Sequence, residues 1–426
     1  MQKHTQLYLL LFSLYWAQGL PVGFMTHALP VVLRAQGVSL AHIGGFGLLM
    51  LPWAIKVFWA PWVDKFGSDR IGHYRSWILP TQMLTVVILI ILSFLPIHTL
   101  NQPSYLLAFF VALFVMNSTG ATQDIATDGL AVSILKGDQQ YLGNMFQVVG
   151  SRLGFIVGGG AILWALDWLN WQSTFLILAA LVALNTVPIL FFNEKPKKST
   201  ASLHQKYVPD SKIQGTLGQR LKNYLRYFMD GRVMLSWLVV LGSIKIADGL
   251  SGPIIKPLLV DLGLSLSQIG IYITMLGALA ALCGAGLASF VLSKMSRVKA
   301  LILFSILKVT SMMGFTWLAF LHEQGQSIQP EWIYLINALE DMFAAMLLVV
   351  ILTLVMQYSR KEYAATDFTF QVSLMATVGG VLYTVSGVVG DYLGYANYLF
   401  VISIIAMLAL IPLYEWLCIE KTQNIE

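Results

Sequence analysis

Charge is scarce in this sequence. Only 11% of its 426 residues are Asp, Glu, Lys or Arg, against roughly 25% in a soluble domain. Hydrophobic residues make up 57%, so there is too little polar surface to cover a water-soluble globule of this size. Cysteine is nearly absent: Cys283 and Cys418 cannot supply an internal disulfide framework, and no CxxC metal spacing occurs. Also missing are His-Glu-x-x-His, Gly-x-Ser-x-Gly, a Walker A run and any cluster of His or Cys. The expectation is therefore no enzymatic activity, no cofactor and no metal site. The basic residues sit in short loops between apolar runs, which gives nucleic acid no surface to bind.

What the chain has in quantity is long apolar runs. A helix needs about 20 apolar residues to cross a bilayer, and twelve runs of that order occur. Six lie near 7–33, 41–62, 77–96, 105–134, 140–166 and 172–192. Six more lie near 233–256, 266–292, 300–321, 332–357, 364–390 and 395–417. The first is too long for a signal-peptide core. Between the two sets runs a polar stretch, 193–230, holding Lys195, Lys197, Lys198, Lys206, Lys212, Arg220, Lys222 and Arg226. With both termini in the cytoplasm, 20 of the 26 Lys and Arg fall in cytoplasmic loops or tails, the bias that orients membrane chains.

The two sets are related. Gly37-Val38-Ser39-Leu40-Ala41-His42-Ile43-Gly44 returns as Gly263-Leu264-Ser265-Leu266-Ser267-Gln268-Ile269-Gly270, and Phe146-Gln147-Val148 returns as Phe370-Gln371-Val372. Asp167-Trp168-Leu169-Asn170-Trp171 is matched by Asp391-Tyr392-Leu393-Gly394-Tyr395. Related halves in a membrane chain point to a carrier with its substrate path between them. The expected architecture is all-α, with twelve transmembrane helices in two pseudo-symmetric halves: residues 1–192, a basic cytoplasmic linker at 193–230, and residues 231–426.

Two motifs carry a resemblance. After the second run, Ala60-Pro61-Trp62-Val63-Asp64-Lys65 followed by Arg70 and Arg75 resembles the Gly-x-x-x-Asp-Arg/Lys…Arg signature of the major facilitator superfamily. The match is partial, since Pro61 stands in the run and no glycine does. The fourth run reads Thr122-Gln123-Asp124-Ile125-Ala126-Thr127-Asp128-Gly129, with two carboxylates at i and i+4 on one helix face. With Gln18-Gly19-Leu20-Pro21-Val22-Gly23-Phe24 and Leu51-Pro52-Trp53-Ala54-Ile55-Lys56, it resembles the AmpG-like branch of that superfamily. The branch includes muropeptide permeases, acetyl-CoA-type transporters and single-chain siderophore importers. The compact length and the Leu-Arg-x-x-Gly-Val-Ser-Leu run look most like the siderophore importers. The resemblance therefore implies proton-driven import of a ferric chelate across the inner membrane by alternating access, with a muropeptide permease of cell-wall recycling, or another organic-anion carrier of the same branch, as the alternative. Expected partners are an anionic small molecule, protons and the lipid bilayer, and the carrier is expected to work as a monomer.

Candidate site residues follow from the cost of intramembrane polarity, which a chain keeps only where the groups pair or work. Gln18, Asn144, Gln147, Arg152, Lys245 and Gln371 are expected to line the substrate path. Arg152 suits an anionic solute, or else neutralises Asp124 or Asp128, and Gln147 and Gln371 are placed to face each other across the pseudo-twofold. Asp124, Asp128, Asp248, Glu340 and Asp341 are the candidates for proton coupling, with Lys245 and Asp248 one turn apart. Asp64, Lys65 and Arg70 are the candidates for a cytoplasmic gate. Gly154, Gly158, Gly159 and Gly160 give small-residue spacing for close helix packing.

Overall fold

The computed structural model describes residues 2–38, 46–100, 102–194, 226–229, 231–265 and 268–423. Most of the expected linker, and parts of both copies of the Gly-x-Ser-Leu echo, lie outside these residues. Among the described residues the chain is helical, with one isolated bridge between Ser68 and Gly72. A segment inside hydrocarbon must satisfy its backbone groups locally, and the α-helix does so. Helix α1 comprises Gln2–Gly23, a π-turn Phe24–Ala28 and Leu29–Ala35, the widening falling just after Pro21. Helix α2 is broken, with 3₁₀ turns at Phe46–Met50 and Lys56–Phe58 around Leu51–Ile55, then Ala60–Lys65. Helices α3, α4 and α6 are Arg75–Ser93, Pro103–Ile134 and Trp171–Phe191. Helix α5 runs Gln139–Phe155, through a π-turn Ile156–Ala161, to Ile162–Trp168.

The last six helices are α7 (Arg232–Asp261), α8 (Ile269–Met275 and Leu276–Leu292), α9 (Arg297–Glu323), α10 (Pro330–Gln357), α11 (Ala364–Leu393) and α12 (Tyr395–Leu408 and Leu410–Gln423). Ten of the twelve are long and apolar enough to cross a membrane by length and composition. The two that differ from the expectation are α2, whose unbroken apolar stretch is only Phe46–Phe58, and α11. Helix α11 carries Thr366, Asp367, Thr369, Gln371 and Ser373 in its first turns.

Packing follows residue size. Helix α1 lies against α5 because glycines remove the side chains between them: a methyl group on Gly154 would meet the Gly19 backbone at 2.5 Å, and one on Gly23 would meet Phe155 at 2.7 Å. Gly160, by contrast, faces open space. Helix α7 sits on α11 in the same way, Gly249 against the Gly379 carbonyl at 2.7 Å. Between the two sets of six, α2 and α4 meet α11, and α5 meets α8 and α10.

The apolar core is continuous at one end of the bundle and divided at the other. One cluster joins Leu11, Tyr74 and Ala126 to Trp237, Val350 and Ala365. A second holds Phe24, Leu89 and Trp171 of the first six helices alone, and a third holds Leu258, Phe315 and Leu399 of the last six. The end with the shared core also carries the two chain termini and the α2–α3, α4–α5, α8–α9 and α10–α11 connections. The two sets are thus bound at that end and separately packed at the opposite one.

Candidate functional site

Four polar arrangements lie along the inner faces of these helices. The first is on α1, α2, α4 and α5. Lys56 Nζ donates to Asp124 Oδ2, and both side chains are buried. The break in α2 puts Lys56 on a 3₁₀ turn, where its ammonium also lies 5.2 Å from the Trp53 ring centroid. Trp53 Nε1 and Trp59 Nε1 in turn donate to Asn117 Oδ1 (2.7 Å) and Thr122 Oγ1 (3.2 Å), which ties the broken helix to α4. Gln18 bridges to the same face: with its amide nitrogen turned toward Asp124 it donates to Oδ1 at 3.0 Å and accepts from the Thr127 hydroxyl at 3.2 Å. Asp128, one turn on, is 1% exposed. It accepts from Tyr15 Oη at 2.7 Å and from Gln147 Nε2 at 3.3 Å. Both donors are neutral, and among the described residues no cation forms an ion pair with Asp128.

The second arrangement lies on α7, α9 and α10. Lys245 Nζ donates to Asp248 Oδ2 at 2.8 Å, as the i, i+3 spacing allows. Lys308 of α9 then stands between Asp248 Oδ1, at 3.4 Å, and Glu340, with which it pairs more closely. Two cations and two carboxylates therefore close on one another. Asp341 lies outside this set and accepts from Asn337 Nδ2 at 3.1 Å. Nothing in the local sequence points from Lys308 to its partners, because they stand on other helices; its position inside an apolar run is the only signal.

The third arrangement is the contact that closes the shared end. Asp64 accepts from the backbone N–H groups of Ala365 (3.2 Å) and Thr366 (2.7 Å), from Thr366 Oγ1 (2.7 Å) and from Tyr74 Oη (2.7 Å). The carboxylate caps the N-terminus of α11, where backbone donors are unsatisfied and the helix dipole favours negative charge. Burial, reinforced by the Asp64 carboxylate, pushes the Tyr74 phenol well above its usual range. Glu194, just past α6, holds the other side of the loop by accepting from the N–H groups of Tyr74 (3.1 Å) and Arg75 (2.9 Å). The positive φ of Gly72 and its lack of a Cβ make room for that carboxylate. Lys65 and Arg70 are exposed, Lys65 lying over the Phe66 ring.

The fourth is a second tie at the same end. Arg297, at the start of α9, donates to Gln140 Oε1 (2.8 Å), to the Gly137 carbonyl (2.7 Å) and to Gln357 Oε1 (2.7 Å). Deeper in, Asn144 Nδ2 of α5 donates to Thr353 Oγ1 of α10 at 3.3 Å.

Two expected relationships take another form. Arg152 does not neutralise the α4 carboxylates, because Lys56 already pairs with Asp124 and neutral donors hold Asp128. Gln147 and Gln371 do not meet. Gln371 is fully enclosed, accepting from Trp237 Nε1 at 2.8 Å and donating to the Val355 carbonyl at 3.2 Å. Each glutamine binds the fourth helix of its own set of six, which is what the repeat preserves. Arg152, Lys245 and Asp248 remain partly open, and His27 is exposed on the part of α1 remote from the N-terminus.

The chain has the major facilitator fold. Over 96% of its length it superposes on the human organic anion transporter MFSD10 (TM-score 0.72, 14% identity, 99% of that chain). It likewise superposes on the fucose transporter FucP in its outward conformation (TM-score 0.66, 14% identity, 98% of that chain). The family described as acetyl-coenzyme A transporter 1 matches residues 6–167. Curated relatives are AmpG-like: the anhydromuropeptide permease of Escherichia coli strain K12 is 28% identical over 380 residues, covering 87% of this chain and 72% of its own. A Rickettsia felis protein named as transporter AmpG 4 is 26% identical over 420 residues, 97% of each chain. These relatives overturn the siderophore reading of the sequence. Gln18, Lys56 and Asp124, from the motifs that carry the resemblance to the whole branch, form one buried network, which builds the polar core of the fold and says nothing about iron.

Proposed function

We propose that this protein is a secondary transporter that imports a muropeptide-type solute, a sugar bearing a peptide, across the cytoplasmic membrane by alternating access. The chief support is its similarity to the anhydromuropeptide permease over 380 residues. The basic loops put both termini in the cytoplasm, so the end bound by Asp64 and Arg297 is the inner one and this conformation faces outward. Residues 1–192 and 231–426 then act as the two rocking halves. The solute enters between α1, α4 and α5 on one side and α7 and α10 on the other, with Gln18, Arg152 and Lys245 presented to it.

Proton coupling rests on Asp128. A carboxylate buried without an ion-pair partner is costly, by several kcal/mol after relaxation, and taking a proton removes that cost. The proton enters from outside while Asp128 is held by Tyr15 and Gln147. Rocking parts α11 from α4, which opens this buried site to water from the inner side, and the proton leaves inward. Asp64 releases the N-terminus of α11 as the inner end opens.

Uptake of radiolabelled anhydromuropeptide into cells lacking the gene, then regaining it, tests the reading. Restored uptake should collapse when an uncoupler removes the proton gradient, and Asp128→Asn should retain binding while losing accumulation. Uptake that is restored but indifferent to the uncoupler would remove the proton from the mechanism. No restoration would remove the solute.

A further inference from the structure

Arg152 and Asp341, opposite in sign and on different sets of six helices, both lack an ion pair among the described residues. Arg152 of α5 is half-buried, yet among the described residues it makes neither an ion pair nor a hydrogen bond. Asp341 of α10 is also half-buried and has a single neutral partner, Asn337. The two lie within electrostatic reach of each other but beyond ion-pair distance. Their neighbours are committed elsewhere: Glu340 to Lys308, Asp248 to Lys245, Asp124 to Lys56. Arg152 belongs to the first six helices and Asp341 to the last six. Two turns further in along α5, the Asn144–Thr353 hydrogen bond ties the same two helices.

Two opposite charges without an ion-pair partner, one on each half and within electrostatic reach, suit a ligand group that carries both charges on adjacent atoms. We propose that Arg152 and Asp341 form a subsite for an amino-acid head, Arg152 taking an α-carboxylate and Asp341 an α-ammonium. This rests on the muropeptide reading, whose peptide portion can present such a head, and it moves Asp341 from proton carrier to specificity residue. Bridging by the ligand links the halves directly, so the correct solute itself draws α5 toward α10. A sugar without a peptide cannot do this.

The test is equilibrium binding to the full-length protein in lipid nanodiscs with four probes. They are an anhydromuropeptide whose peptide carries a free α-ammonium beside a free α-carboxylate, its N-acetylated form, its C-amidated form, and the peptide-free anhydro-sugar. The wild type is expected to prefer the free zwitterion by about tenfold or more over each of the others, the usual effect of losing a charged hydrogen bond. Asp341→Asn should abolish the preference over the N-acetylated probe and keep the preference over the amidated one. Arg152→Gln should do the reverse. Asp341→Asn conserves shape and Arg152→Gln keeps an unbranched polar side chain, and a monodisperse size-exclusion profile establishes folding. Equal binding of all four probes by the wild type, or an Asp341→Asn loss as large for the N-acetylated probe as for the zwitterion, would overturn the subsite. If the wild type binds no sugar probe, the muropeptide reading falls. The sugar-free peptide then decides the subsite: the same two-way discrimination sustains it, and its absence ends it.

Discussion

At the scale of single residues, the most consequential feature is that Lys56 and Asp124 are buried together. Desolvating two ions offsets most of their attraction, but removing one partner strands the other, at a cost of about 3–5 kcal/mol. Lys56→Met should therefore lower the midpoint of thermal unfolding in detergent by several degrees. Lys56→Met with Asp124→Asn should recover most of that loss without recovering transport. A double variant no more stable than the single would mean that the pair is not the coupled unit the geometry describes. The sequence discloses these residues unevenly. Asp124 and Asp128 stand out because i, i+4 carboxylates in an apolar run must face protein or water. Their partners do not stand out, because Lys56 is 68 positions away and joins Asp124 only through the packing of α2 on α4. Tyr15 reads as an ordinary aromatic until its hydroxyl is seen 2.7 Å from Asp128, 113 positions on. A lysine inside an apolar run, such as Lys56 or Lys308, implies some carboxylate. It does not say which.

At the scale of elements, apolar length made nearly all the helices legible, whereas what joins them depends on contacts hundreds of residues apart. Asp64 reads from sequence as a loop acid near basic residues, and its actual partners, 301 and 302 positions on, are the amides that open α11. Capping in a partly buried geometry is worth up to about 2 kcal/mol, so Asp64→Asn should shift the balance between the two end states by about 30-fold. Spin labels on the α2–α3 and α10–α11 connections would report this as a longer distance population, and an unchanged distribution would count against the cap. The Tyr74 hydrogen bond adds a pH signature. Burial and the Asp64 carboxylate raise its phenol well above the ordinary tyrosine range, so the stabilisation it provides is complete below that range and is lost as pH rises through the higher folded value. The same distance population should stay constant from neutrality to about pH 10 and lengthen above it. The α1–α5 interface gives a second check. Overpacking a tight contact costs about 1–3 kcal/mol, so Gly154→Ala, facing the Gly19 backbone at 2.5 Å, should lower the unfolding midpoint. Gly160→Ala, which faces open space, should not. Equal effects would mean that helix propensity, not packing, governs this stripe.

At the scale of the whole molecule, the shared apolar core and the hydrogen bonds between the two sets of six coincide at one end. Asp64 with α11, Arg297 with the α4–α5 connection, and Asn144 with Thr353 all lie there. The sequence repeat anticipates two halves but not this asymmetry: at the counterpart of the Asp64 motif, the α8–α9 connection reads Ser293-Lys294-Met295-Ser296-Arg297 and holds no acid. Arg297 now reaches back from that copy to Gly137 and Gln140, so the two ties are of opposite polarity: a carboxylate meets backbone donors in one, a guanidinium meets oxygen acceptors in the other. No single proton or anion can weaken both. They stand on different connections and share no residue, so their losses should add. With each worth about 1–2 kcal/mol, Asp64→Asn with Arg297→Ala should move the population by about 30-fold to 1,000-fold toward a state open at the termini. A cysteine placed at the exposed position of His27, which faces outside in the proposed topology, measures that population in a background lacking Cys283 and Cys418. A membrane-impermeant maleimide should label it readily in the otherwise intact protein and at least about tenfold more slowly in the double variant, each single variant falling between. If the double variant labels as fast as its parent, the inner contacts do not set the resting state. The split of the apolar core at the outer end would then have to hold the molecule outward by itself.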